Sequence, residues 1–243
     1  MRINQSSNPA FSNYFWENDN SPSKTMSVSG IIIKSIICII VIAFISGGIW
    51  NLHNKGYEVK WFTAGGILSS IIISILISVR TNWAKFLVPI YTIAKGCFLG
   101  GIISFVKSKY PDMPYQAIGV TIITFFVMLL LYQTRLIIVT KKLRSIIITA
   151  CASIFVTYII SWILSFFGIK IFIWGISWWA IAFNIIAAIF ASLSLLLDFD
   201  YIERYKNKAP KEKEWLATWG LLVTLIWLYV EILRLMRKLA FRF

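Results

Sequence analysis

Histidine is all but missing from this sequence: His53 is the single one among 243 residues. A zinc site, or a Ser-His hydrolytic centre, would have to rest on that one loop residue. No carboxylate pair with a metal shell appears either, so an enzyme is not expected, and nothing in the chain calls for a cofactor. Cysteine is scarce as well. Cys38, Cys97 and Cys151 each fall inside an apolar run, where a thiol behaves as a small hydrophobe, and a disulfide framework is not expected. Acid is the third scarcity, with 10 Asp and Glu against 24 Lys and Arg and a net charge of +14. That excess does not point to nucleic acid. The basic residues sit beside apolar runs, where they anchor helices, and no soluble domain is left over to carry a contiguous binding face.

What is abundant is hydrocarbon. The chain is 58% hydrophobic and 14% charged, and its charges cluster between long apolar runs. A soluble domain is about a quarter charged, with the charges dispersed. Residues 1–28 are rich in Asn and Ser and lack apolar periodicity, so they read as a solvated, disordered tail. The first apolar run is long enough to span and no cleavage site follows, so it reads as a helix and not as a signal peptide. Seven runs follow near 31–50, 61–79, 84–106, 116–134, 145–168, 174–197 and 215–239. Each matches the roughly 20 residues that cross about 30 Å of hydrocarbon. Barrel strands would alternate over shorter stretches, so the expectation is an all-α integral membrane domain over 29–243.

Loop charge sets the expected orientation. The tail and the second, fourth and sixth loops hold 13 Lys and Arg, while the first, third and fifth hold 5. The positive-inside rule then puts the N-terminus in the cytoplasm and, after seven spans, the C-terminus outside. Arg234, Arg237, Lys238 and Arg242 crowd that C-terminal end and work against the bias. Gly96 and Gly100 form a GxxxG in the third run, while Gly47-Gly48 and Gly65-Gly66 lie in the first two; these read as packing positions.

Charge inside a span costs roughly 2.5–3.5 kcal/mol on insertion scales, so each case needs a reason. Lys34 lies near a helix end and can snorkel. Lys95 is mid-span, and is expected to pair with a carboxylate or to face a wet cavity. In the seventh run Gly220, Thr224, Trp227, Glu231, Arg234 and Lys238 step by four and three along one face. A polar stripe on a membrane helix should face the interior, which encloses this helix among the others. The sixth run ends in Asp198, Asp200 and Glu203. Asp200 suits a solvated helix end paired with Arg204, four residues on. Asp198 is the deeper, and the topology puts Arg80 on its side of the membrane.

The ending Asp198 to Ile202 resembles the acidic sixth-helix motif of the Bax inhibitor family. The stretch from Trp219 to Arg234 is similar to that family's seventh helix, with Glu231 where many members have Asp. Ser7-Asn8-Pro9, Pro89-Ile90-Tyr91, Gly96 and Phe98-Leu99-Gly100 resemble a bacterial branch of the family. The resemblance implies six helices in two three-helix layers around a central seventh, in a bacterial inner membrane. It also implies a pH-sensing carboxylate pair, Asp198 with Glu231, gating a cation leak, calcium among the cations. Arg80 would be released on protonation, and Arg234, Asp200 and Lys95 would serve as pore or helix-pairing residues. Lys95 departs from the pattern, since related sequences tend to have Glu there. Burial and a second carboxylate both favour proton uptake, so such a pair titrates as a unit.

Two other readings stand beside the leak. One is a non-conducting protein that modulates membrane proteases or other membrane machinery. The other is a secondary transporter, which the absence of an internal repeat disfavours.

Overall fold

The structure is a computed structural model, and it describes residues 25–169 and 171–242. The expected tail and Ser7-Asn8-Pro9 therefore lie outside the described residues. Seven α-helices follow in order: α1 (Val28–Asn54), α2 (Lys60–Val79), α3 (Ala84–Lys107), α4 (Met113–Gln133), α5 (Lys141–Phe166), α6 (Trp178–Tyr205) and α7 (Lys213–Arg242). All seven are long and apolar enough to cross a membrane. Short 3₁₀ turns occupy Thr81–Trp83 and Phe172–Trp174, and among the described residues no strand occurs beyond an isolated bridge between Thr25 and Pro210.

The helices begin and end where local chemistry permits. The Ser27 hydroxyl accepts from the Gly30 N–H at 3.0 Å, and Thr140 accepts from Leu143 at 3.2 Å, so α1 and α5 start on side-chain caps. Gly56 and Gly168 follow α1 and α5 with φ of 88° and 77°, a left-handed turn that glycine enters without strain. Inside the spans, hydroxyls need partners that lipid cannot supply. Ser74, Ser78, Thr92, Ser104 and Thr121 each donate to the carbonyl four residues back, at 2.7–2.9 Å.

The chain divides into two compact units. The first holds α4, α5, α6 as far as Tyr201 and α7 from Val223; the second holds α1 to α3, the α6–α7 connection and the start of α7. In the second unit, small residues bring helices close. A Cβ at Gly96 would lie 2.8 Å from that of Ile45, and one at Gly100 2.7 Å from that of Ile49, so the GxxxG of α3 packs on α1. Gly66 seats α2 on the α3 backbone at Phe98 and Ala94. Among the described residues a Cβ at Gly47, Gly48 or Gly65 would meet nothing within 4 Å on another element, so their expected packing role is not met there. In the first unit, Ile147 and Cys151 of α5 and Leu197 of α6 form a core that Phe190, Leu193 and Trp227 cover.

One sequence expectation about the spans needs adjusting, and another is met. Helix α6 starts at Trp178 and continues to Tyr205, where the apolar run suggested 174–197. Hydropathy stops at Leu197 but the helix does not, because Phe199, Tyr201 and Ile202 are buried and keep the turn packed. Helix α7 is the most enclosed, with 78% of its apolar window buried against 56% in α6 and 11% in α4. Its polar stripe forecast that enclosure.

Candidate functional site

The polar stripe of α7 is the spine of the site. Glu231 is 1% exposed, and Thr224 and Lys238 are buried as well. Spacing of three and four residues places Trp227 and Arg234 one turn either side of Glu231. The Trp227 indole N–H donates to Glu231 Oε1 at 3.2 Å, and the Arg234 guanidinium donates to the same oxygen at 3.5 Å. Two other helices complete the shell. Tyr158 of α5 donates its hydroxyl to Glu231 Oε2 at 2.9 Å, and the Asn184 side-chain amide of α6 donates to that oxygen at 2.8 Å. One buried carboxylate thus gathers donors from α5, α6 and α7.

Arg234 is sandwiched as well as paired. Its guanidinium lies 4.7 Å from the Tyr158 ring and 5.4 Å from the Trp174 ring, and the Trp174 indole donates to Ser161 Oγ at 2.5 Å. Such stacking suits a planar, weakly hydrated cation. The segment between α5 and α6 is tied down by the basic end of α7. Lys238 donates to the Ile173 and Ala180 carbonyls and to Asn184 Oδ1, while Arg242 donates to the Ile176 carbonyl at 3.0 Å and lies over Trp178.

Asp198 and Asp200 stand elsewhere. Glu231 meets α6 at Asn184, and Asp198 is 14 residues farther along that helix. At 1.5 Å per residue that is about 21 Å of axis, beyond what two side chains can bridge. The structure does not bring Asp198 and Glu231 together as a proton-sharing pair. Asp198 is fully buried, deeper than Asp200 and Glu203 as expected. Asp200 is less solvated than a helix end was expected to be, with its side chain 14% exposed. It pairs with Arg144 of α5, whose side chain is 4% exposed and which also faces the Tyr201 ring at 5.1 Å.

In the second unit, Arg80 is exposed and stacks on Trp83 at 4.9 Å. Lys95 lies over the rings of Tyr91 and Phe98, 5.5 and 5.3 Å from their centroids. Among the described residues it lies against aromatic rings, where a carboxylate or a wet cavity was expected. Lys34 does not snorkel. It pairs with Glu214, a fully buried carboxylate of the first turn of α7 that sequence reading passed over. The Ser27 N–H and hydroxyl donate to the other Glu214 oxygen at 2.9 and 3.0 Å, and the Trp215 ring lies 5.4 Å from the Lys34 ammonium. Gly30 makes room, since a Cβ there would lie 2.6 Å from the carboxyl carbon of Glu214.

Tyr158, Asn184, Arg144 and Glu214 are the site residues that sequence reading missed. Asn184 alone carried a visible signal, an amide inside an otherwise apolar run. Among the described residues no group of three or more His, Cys, Asp or Glu side chains is placed to hold a metal ion.

A family model described as Bax inhibitor 1 like matches residues 8–241, nearly the whole chain. No curated protein and no solved structure gives a significant match.

Proposed function

The chain belongs to the Bax inhibitor 1 like family, and we propose that it is a pH-responsive cation leak of the membrane with Glu231 as its proton-sensing group. The observation that carries this reading is the burial of that carboxylate, at 1% exposure, among donors from three helices. An ionised Glu231 accepts from Tyr158, Asn184, Trp227 and Arg234 at once. A protonated one loses its charge, weakens its hold on Arg234 and turns one oxygen from acceptor to donor. Every helix that meets it must then re-sort its contacts, which links acid to packing. A buried negative charge also favours cations over anions along any path that passes it.

Calcium is the cation that the family resemblance suggests. The sensor differs from the expected pair: Glu231 acts with Arg234 and Asn184, while Asp198 lies 14 residues beyond Asn184 on α6. We place the protein in a bacterial plasma membrane with its N-terminus in the cytoplasm, supported by the loop bias of 13 against 5.

The test is ion flux through purified protein in liposomes loaded with a calcium dye, across a range of pH. Flux through the wild type should change with pH, and Glu231→Gln, close to isosteric and unable to ionise, should flatten that dependence while helicity is kept. An unchanged pH profile in Glu231→Gln would refute the sensor. No flux at any pH would favour the non-conducting interaction protein.

A further inference from the structure

The ammonium of Lys238 occupies an unusual seat. The side chain is 2% exposed, and its three donor directions meet three oxygens: the Ile173 carbonyl at 2.6 Å, the Ala180 carbonyl at 3.1 Å and Asn184 Oδ1. None of the three is a carboxylate. The nearest negative charge is one step removed, because the same Asn184 amide turns its N–H toward Glu231 Oε2 at 2.8 Å. That bond fixes the amide so that its oxygen faces the cation and its nitrogen faces the anion.

A buried cation ringed by neutral oxygens is not an ordinary ion pair. Backbone carbonyls and amide oxygens that replace a hydration shell are how channels and transporters hold alkali cations. Two of these oxygens come from the ends of the α5–α6 connection, the 3₁₀ turn at Phe172–Trp174 and the first turn of α6. The Ile173 carbonyl belongs to irregular backbone, where oxygens are free to turn toward a cation, and the Ala180 carbonyl reaches the ammonium from within the helix. The absence of a directly coordinating carboxylate sets the charge class. Divalent ions draw on several anionic oxygens, whereas three neutral oxygens with one carboxylate behind them suit a single positive charge.

We propose that Ile173, Ala180 and Asn184 form a binding site for a monovalent cation of ammonium or potassium size, and that Lys238 occupies it as a tethered cation. Its role rests on the leak reading: while the ammonium is seated, an inorganic ion is excluded, and withdrawal of the side chain frees the site beside Glu231. The existence of the site does not depend on that reading.

The experiment separates the two. Lys238→Ala removes the tethered cation and leaves a space; Lys238→Met removes the charge but fills the space. Thermal unfolding of each purified protein is followed while potassium, sodium or methylammonium replaces choline at constant ionic strength, with calcium and magnesium titrated alongside. Lys238→Ala should show a saturable rise in unfolding midpoint with at least one monovalent cation, where the wild type and Lys238→Met show none. In liposomes it should also pass potassium several-fold faster than the wild type. The site is refuted if Lys238→Ala responds to none of the monovalent ions, responds no better than Lys238→Met, responds only to calcium or magnesium, or cannot be recovered folded in any of these salts. A saturable rise without flux in any variant would keep the site and remove the leak. Flux in the wild type without such a rise would do the reverse.

Discussion

Replacing Lys34 by methionine should damage this protein more than its place near a helix end suggests. Glu214 is fully buried, and Lys34 is its charge partner at 19% exposure. Removing one member of a buried ion pair typically costs about 3–5 kcal/mol, because the other charge is left in a medium that cannot solvate it. Here Ser27 still donates twice to the stranded carboxylate, so the low end, about 3 kcal/mol, is expected for Lys34→Met. The reverse change should be milder. In Glu214→Gln the amide oxygen keeps the Ser27 bonds, and Lys34, already in partial contact with its surroundings, can move its ammonium outward; about 1–2 kcal/mol is expected. The double variant carries no stranded charge and should lie within about 1 kcal/mol of Glu214→Gln alone, which makes the coupling about 2–3 kcal/mol. Reversible unfolding in mixed micelles, followed by tryptophan fluorescence, gives all three values. Single costs that add to within about 0.5 kcal/mol would show that the pair is not a pair in the membrane.

Arg144→Leu should be strongly destabilising, by about 3–5 kcal/mol, and adding Asp200→Leu should recover much of the loss, measured in the same unfolding assay; a harmless Arg144→Leu would refute the buried pairing. Gly66→Ala should cost about 1–3 kcal/mol, because its Cβ would lie 2.6 Å from the Phe98 nitrogen. Gly47→Ala, facing nothing within 4 Å, should be neutral or stabilising by about 0.5–1 kcal/mol; equal effects at the two positions would contradict the α2–α3 contact. For topology, Ser6→Cys and Phe243→Cys in a cysteine-free background should label with an impermeant thiol reagent on intact cells only at 243. Labelling at 6 alone would invert the orientation.

What was legible from the chain was whatever a single helix can encode. Seven spans follow from run length, and the enclosure of α7 follows from a stripe at spacings of three and four, which Glu231 and Arg234 realise at 3.5 Å. Partners on other helices were not legible. Asp200 was matched with Arg204 on the four-residue spacing of one helix, and that spacing gave no sign of Arg144 of α5, the partner 56 residues away. Lys34 was given a snorkelling role because it lies near a helix end; its partner Glu214 is 180 residues on. Lys95 was expected to meet a carboxylate or a wet cavity, when two aromatic faces were available on its own helix.

These cases share one physical cause, and it bears on how the site works. In hydrocarbon an ionisable group cannot wait for water, so it takes a partner wherever the fold supplies one, and the energetic need reads from sequence while the identity of the partner does not. Asn184 shows the same rule from the other side. It is fully buried and neutral, so it attracted no notice among charged residues, yet it touches both the Glu231 carboxylate and the Lys238 ammonium. A carboxamide is suited to that position because it presents a donor to one charge and an acceptor to the other. Leucine at 184 would leave the carboxylate with one donor fewer and the ammonium with one oxygen fewer. Aspartate would turn a repulsive oxygen toward Glu231. Two opposite charges 7 residues apart on α7 are held at separate stations by one amide on α6. The carboxylate and the ammonium therefore stay one amide apart, each with hydrogen-bond partners of its own.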